Sequence, residues 1–462
     1  MDRILLTQSS PILNLPYELL ADIMLRALAP RVDEWGRITF ASPEEVLVLC
    51  RICSHWRSVA LNTPKLWVTE TFPVTRFYEP SLTMTKMFLE RSAPLPISIS
   101  LYCQIPYVLP VLVTAAHRWR SFRIMYDNRD GLDLAASLSG IEGSLEHLEK
   151  LQLDYCPDVH AALHVFQSAP RLHDITLDTK QTTSLIIPPM PCAQLTRLSL
   201  KCGSPQWCLN IIMHCKNLVS AKVLTTPWLE ASEVSDTVET SSLQCMEQLD
   251  ISVDVRSAGV AHLEPFLRRL RLPALKSLTL TLSVRRSRHP LFNSFGLELI
   301  SFLARSPRVE YLLLCNCVFP EDMPYILECT PHLTELHFHT SDGAEIDDDF
   351  FEMLWYDATD PASLVPKLET LDLLDVGHGF WEESLAQMIR SRWWSDEDLS
   401  AMAAPPGVAR LKRIRFENYS DSPKKFTEEF KEEMKGYCAQ GLQQEGLLFP
   451  RWDHYSGQVE ES

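Results

Sequence analysis

The sequence predicts an α/β chain: a short N-terminal three-helix module, then an irregular repeat solenoid built on a parallel sheet. Three observations predict it. Helical periodicity with proline and serine start signals fills residues 15–70. From Trp119 to Leu411 an apolar triplet of fixed internal spacing keeps returning. Amphipathic stretches separate the copies, several ending in proline. The expected domains are an arm at 1–14, the module at 15–70, the solenoid at 71–417, and a capping helix with a polar tail at 418–462.

The first helix opens at Pro16, whose missing N–H costs nothing in a first turn. Glu18 suits the positive end of the helix dipole. Leu19, Leu20, Ile23, Met24, Ala27 and Leu28 then form a broad apolar stripe, and Pro30 ends it. Ser42, Pro43 and Glu45 start a second helix in capping-box order, with Val46, Leu49, Cys50 and Cys53 on its apolar face. A third helix carries Trp56, Val59 and Ala60 and stops at Thr63-Pro64. So small a module buries little surface alone, so part of its Leu, Ile and Trp content is expected against a partner.

In order and spacing, LPYELLADI at Leu15, LCRICSHWR at Leu49 and ALNTPKLW at Ala60 resemble an F-box, in the form that precedes repeat domains in many fungal proteins. The resemblance covers roughly the first seventy residues. It implies docking onto the small adaptor subunit of a cullin–RING ubiquitin ligase. By match to the motif, Leu15, Pro16, Leu19, Leu20, Ile23, Val46, Leu49, Cys53 and Trp56 would form the core and adaptor face. The insert Arg31 to Ala41 departs from the pattern by lengthening the link between the first two helices. It either changes the docking edge or is a surface loop.

Beyond the module, Met84 to Arg91 reads as a short helix and Leu95 to Tyr102 as a strand. The triplet (apolar, two residues, apolar, one residue, apolar) then appears as WRSFRI at Trp119 and LEKLQL at Leu148. Further copies start at Leu172, Leu195, Leu218, Met246, Leu275, Val309, Leu333, Leu368 and Leu411. This is a loosened leucine-rich repeat signature. Cys156 and Cys317 fall at its asparagine/cysteine position, a structural place for a small polar group. Proline stands two residues before the anchor at Pro170, Pro273, Pro307, Pro331 and Pro366, where it would stop each helix. Phe426, Phe430 and Met434 suit a helix closing the open end.

Strand alternation sends the triplet's apolar side chains inward and the residues between them to the open sheet face. That face would carry Lys150, Gln152 and Asp154; Asp174, Thr176 and Asp178; Thr370 and Asp372; Arg413 and Arg415; and an exposed Tyr311 and Leu313 near its middle. The candidate target-binding residues are Arg197, Lys201, Lys222, Tyr311, Leu313, Glu335, His337 and His339.

The chain has 462 residues and a formal net charge of −17, which excludes a general nucleic-acid binder and an anionic membrane surface as partner. No apolar run reaches the roughly 18 residues of a membrane span. Thirteen cysteines lack a compact framework, which predicts mostly free thiols and a cytoplasmic or nuclear setting. No metal site is expected. Cys50-x-x-Cys53-x-His55 has no second pair for zinc, and His337-x-His339 is at most half a site. Asp347-Asp348-Asp349 reads as a helix cap, not a calcium loop. No nucleotide, hydrolase or metalloprotease motif is present, and no catalytic or cofactor-binding residue is expected. The expectation is a substrate receptor of a ubiquitin ligase whose solenoid holds a target protein. The alternative is a repeat scaffold whose helical module is only a cap.

Overall fold

The computed structural model describes residues 15–32, 38–39, 43–68, 82–101, 105–125, 133–155, 159–179, 187–202, 204–225, 241–255, 263–284, 295–340, 345–358, 363–377, 379–402, 406–417 and 426–446. The expectations placed on Ser42, Cys156 and the chain end from about Asp453 lie outside them. The fold is α/β, and the chain divides into two compact units: residues 1–181 with 186–197, and 182–185 with 198–462. The division falls inside the repeat array.

The first unit begins with helices α1 (Tyr17–Ala27), α2 (Pro43–Ile52) and α3 (Ser54–Leu61) and the short turn Pro64–Trp67. Helix α4 (Leu82–Ser92), strand β1 (Ile97–Leu101), α5 (Ile105–Val113), β2 (Trp119–Met125), α6 (Leu134–Leu138), β3 (Lys150–Asp154), α7 (Val159–His164) and β4 (Asp174–Thr179) follow. Strands β1 to β4 pair in order and in parallel. Within the insert, Arg31 and Val32 pair antiparallel with Thr39 and Ile38.

The second unit takes up β5 (Arg197–Cys202) from Leu198 and runs through α8 (Pro205–His214), β6 (Ser220–Thr225), β7 (Gln248–Val255), α9 (Leu263–Arg269), β8 (Ser277–Val284) and α10 (Phe295–Ala304). It continues with β9 (Tyr311–Cys315), α11 (Met323–Glu328), β10 (Glu335–His339), α12 (Asp348–Glu352), β11 (Thr370–Leu374), α13 (Glu382–Arg392) and α14 (Asp396–Ala401). Strand β12 (Arg413–Glu417), α15 (Glu428–Ala439) and β13 (Gln443–Glu445) complete it. Strands β6 to β13 form a parallel ladder.

From β3 to β12, each strand follows its triplet anchor, and β2 begins on its own. The two apolar positions after the anchor supply the core: Leu278 and Leu280, Leu312 and Leu314, Leu336 and Phe338, Leu371 and Leu373, Ile414 and Phe416 are all buried. The intervening side chains are half-buried or exposed in β9 and β10, which fixes the open face.

The prolines act in the turn between helix and strand. In Ala169–Leu172, Leu272–Leu275, Thr330–Leu333 and Val365–Leu368 the anchor N–H donates to the carbonyl three residues back. Proline holds the second position, whose φ the turn requires. The residue after each anchor then donates to its counterpart one repeat earlier: Lys276 to Glu247 (2.9 Å), Glu310 to Lys276 (2.8 Å), Thr334 to Glu310 (2.8 Å), Glu369 to Thr334 (2.8 Å) and Lys412 to Glu369 (2.7 Å). The repeat is therefore locked to its neighbour before the strand begins.

A second device sits at the strand ends. Tyr155, Asn316 and Asp375, each one residue past a strand, have left-handed φ of 59°, 56° and 54°. Each N–H donates to the last carbonyl region of the next strand, at Asp178 (2.7 Å), His339 (2.8 Å) and Glu417 (2.7 Å). The strain of a side chain in that region is set against a satisfied backbone donor.

Several expectations are corrected. The first strand of the sheet, Ile97–Leu101, pairs with β2 and so lies inside the expected solenoid but ahead of its first triplet at Trp119. The array ends one strand later. Phe426, Phe430 and Met434 are buried, but α15 is followed by β13 on β12, so the helix is part of another helix–strand unit. Pro16 flanks α1 rather than opening it. Cys53 is off the second helix: its Sγ accepts from the Trp56 N–H (3.4 Å) and caps α3. Asp154, Asp178 and Asp372 keep their place in the alternation of the open face but are buried there, and Tyr311 and Leu313, expected to be exposed, are half-buried. Asp347 does cap a helix, accepting from the Phe350 N–H.

Candidate functional site

The helical module is built around α3. Tyr17 at the start of α1 donates to the Asn62 carbonyl (2.6 Å), and Trp67 Nε1 donates to that of Ala60 (2.8 Å). The Trp67 indole meets Phe88 of α4 edge-on (5.0 Å), and the Arg91 guanidinium lies 4.5 Å over it. Such pairs add about 0.5–1.5 kcal/mol beyond area burial. Leu20, Met24, Val46 and Trp56 are the module's core. Leu19 and Ile23 of α1 are 54% and 41% exposed, and Val48 and Ile52 of α2 are 56% and 53% exposed. Leu15, Leu49 and Cys53 are half-buried and Pro16 is exposed. The motif match thus mixes core with surface. It omits Val48 and Ile52, which the helical stripe of α2 did not mark because they lie off it.

On the sheet face, most charges are answered by a charge on the adjoining strand or turn. Arg123 reaches Asp154 (3.1 Å), Arg197 reaches Asp174 (3.0 Å) and Lys222 reaches Asp250 (2.9 Å). Lys201 is half-buried on β5. In the first unit a depression of about 280 Å³ is lined by Ser98, Ser100, Ser121, Arg123, Lys150 and Gln152, among others.

The candidates that come together lie on β9 to β12. Register places Tyr311 beside Glu335, Leu313 beside His337 and His337 beside Asp372. The Tyr311 and His337 rings are 4.9 Å apart. His337 Nδ1 meets Asp372 Oδ2 at 3.0 Å, with Arg413 Nε at 3.9 Å from the other oxygen. Burial, then the charges of Glu335, Asp372 and Asp250, raise the Tyr311 hydroxyl. Lys222 shares a register row with this cluster, through Asp250 and Thr279 to Leu313.

His339 belongs to a different set. Its Nδ1 is 3.1 Å from Cys315 Sγ and its Nε2 is 3.2 Å from Asp375 Oδ2. Hydrogen bonds to Asp375, then to Cys315, raise the imidazole to about 9 against the opposing effect of burial. Cys317 is fully buried, hydrogen-bonds the Leu280 carbonyl, and has its thiol pushed up by that burial. Cys315 and Asp375 were missed in the sequence. One signal was present: Cys315 is two residues beyond Leu313 and shares its face. The two histidines therefore take separate carboxylates. Among the described residues no group of three or more His, Cys, Asp or Glu is arranged to hold a metal ion.

No helix among the described residues is long and apolar enough to cross a membrane. No family model and no curated protein matches the sequence. Among solved structures, the chain is similar to LegL7, a leucine-rich repeat-containing protein of Legionella pneumophila. The match has 15% identity, covers 70% of this chain and 96% of that one, and has a TM-score of 0.34. It is also similar to a Bacteroides fragilis protein, at 12% identity, 74% and 78% coverage and a TM-score of 0.35.

Proposed function

We propose that the protein is the substrate receptor of a cullin–RING ubiquitin ligase, with residues 15–67 docking the adaptor as an F-box and the repeat array holding a target protein. The observation that carries this reading is the exposure of Leu19, Ile23, Val48 and Ile52 on two helices that pack on α3. A module that served only as a cap would turn such residues inward. Solvent-facing apolar side chains on an otherwise packed helical unit fit a protein-binding edge. The cluster of Tyr311, Leu313 and His337 is the part of the sheet face best suited to a protein target, since its two rings and its leucine are not consumed by the core. Such a receptor supplies proximity and orientation and no bond chemistry of its own.

The test is capture of purified adaptor by the full chain and by a Leu19→Asp, Ile23→Asp variant. Both positions are exposed, so the variant is expected to keep its unfolding midpoint and lose the adaptor. Retained binding would remove the F-box assignment and leave a repeat scaffold.

A further inference from the structure

We propose that Cys315, His339 and Asp375 form a nucleophilic thiol site on the open sheet face, which adds covalently to soft carbon electrophiles of the α,β-unsaturated carbonyl class. It does not rest on the receptor reading.

The geometry is that of a nucleophile, a proton carrier and an orienting carboxylate. Cys315 ends β9 and His339 ends β10, directly opposite each other in register. Their side chains meet on the open face, sulfur to Nδ1 at 3.1 Å. Asp375 follows β11, and its left-handed φ of 54° turns the chain there. Its carboxylate accepts from His339 Nε2 at 3.2 Å, which fixes the ring and directs Nδ1 to the sulfur. Asp375 is itself positioned, because its N–H donates to Glu417 and its carbonyl accepts from Thr340 Oγ1 (2.8 Å).

The site is open. Cys315 is half-buried, and the side chains of His339 and Asp375 keep 28% and 21% of their surface. Cys317, two residues on, shows the contrast: buried and bonded to a carbonyl, it has no such carrier. Among the described residues, the titratable groups facing the sulfur are His339 from β10 and Cys317 from its own turn, with Asp375 behind the ring.

The addition balances. His339 stands protonated beside the sulfur, so the thiol proton leaves to water as the sulfur lone pair forms an S–C bond to the β-carbon of the alkene. The π pair moves to the carbonyl as an enolate, and the imidazolium gives its proton to the α-carbon and regains one from water. No oxidant is required, and each addition consumes one thiol, so there is no turnover. A bulky adduct would stand on the face two residues from Leu313.

The experiment uses the full-length protein and acrylamide, with peptide mass spectrometry following each cysteine over time. Cys245, which is exposed, is the reference. Cys315 is expected to label at least about tenfold faster than Cys245 near neutral pH. Labelling at or below the Cys245 rate overturns the proposal. In His339→Gln, and separately in Asp375→Asn, the ratio is expected to fall towards one, while Cys317 stays protected. An unchanged ratio in both variants would also overturn it. The wild-type comparison decides the proposal even if a variant is unstable.

Discussion

Two buried arginines show how single residues brace the repeats. Arg392 has no exposed surface, and its guanidinium donates to the carbonyls of Leu354 (2.5 Å), Leu364 (2.7 Å) and Val365 (3.2 Å). Burial lowers it to about 10, so the charge is carried at a cost that the three acceptors offset. Arg118 does the same in the first unit, with the Leu89 and Leu95 carbonyls and the Ser92 hydroxyl. Arg392→Met keeps the stem but orphans three carbonyls. It is expected to lower the unfolding free energy by about 3–5 kcal/mol in urea titration. His339 gives a pH signature. Its folded value of about 9 lies above its ordinary 6.5, so the stability it contributes is full below about 6.5 and lost as pH rises through about 9. The difference in urea midpoint between wild type and His339→Gln should therefore shrink from pH ~6 to pH ~9.5. A constant difference would contradict the Asp375–His339–Cys315 linkage.

At the scale of the element, the strands from β2 to β12 were legible because their triplet states two things at once. It gives the alternation of a half-buried strand and the anchor that closes the preceding turn. β13 was not legible. Gln443–Glu445 carries no apolar triplet, since an added strand needs only backbone donors and acceptors on β12. Its one signal is glycine: Gly441 and Gly446 flank it with φ of 109° and 82°. A Cβ on Gly446 would strike the Phe416 carbonyl as well as strain the backbone. Gly446→Ala should therefore raise amide exchange in Gln443–Glu445 and leave β7 and β8 protected; equal loosening of all three would show that β13 does not fold as an added edge. The module was legible in outline only. Periodicity marked its stripe but did not separate Leu20, which is buried, from Leu19, which is not. The thiol site was least legible of all. Cys315, His339 and Asp375 lie 24 and 36 residues apart, and only strand register brings them together.

At the scale of the whole molecule, the repeats from β7 to β12 are joined in turn by the post-anchor hydrogen bond and the strand ladder, so their stability is expected to be a sum of neighbour terms. Leu312→Ala, in the core of β9, should cost about 2–5 kcal/mol locally. Exchange should rise in β8 and β10 before β1, and a uniform rise would deny the neighbour-coupled picture. Apolar side chains of the helical module face solvent, while rings and paired charges line the sheet face. The receptor account joins these features, and adaptor capture tests it most directly. Full-length protein should bind the purified adaptor, and Leu19→Asp, Ile23→Asp should abolish binding at an unchanged unfolding midpoint. Failure of the wild type to bind, or undiminished binding by the folded variant, would contradict it.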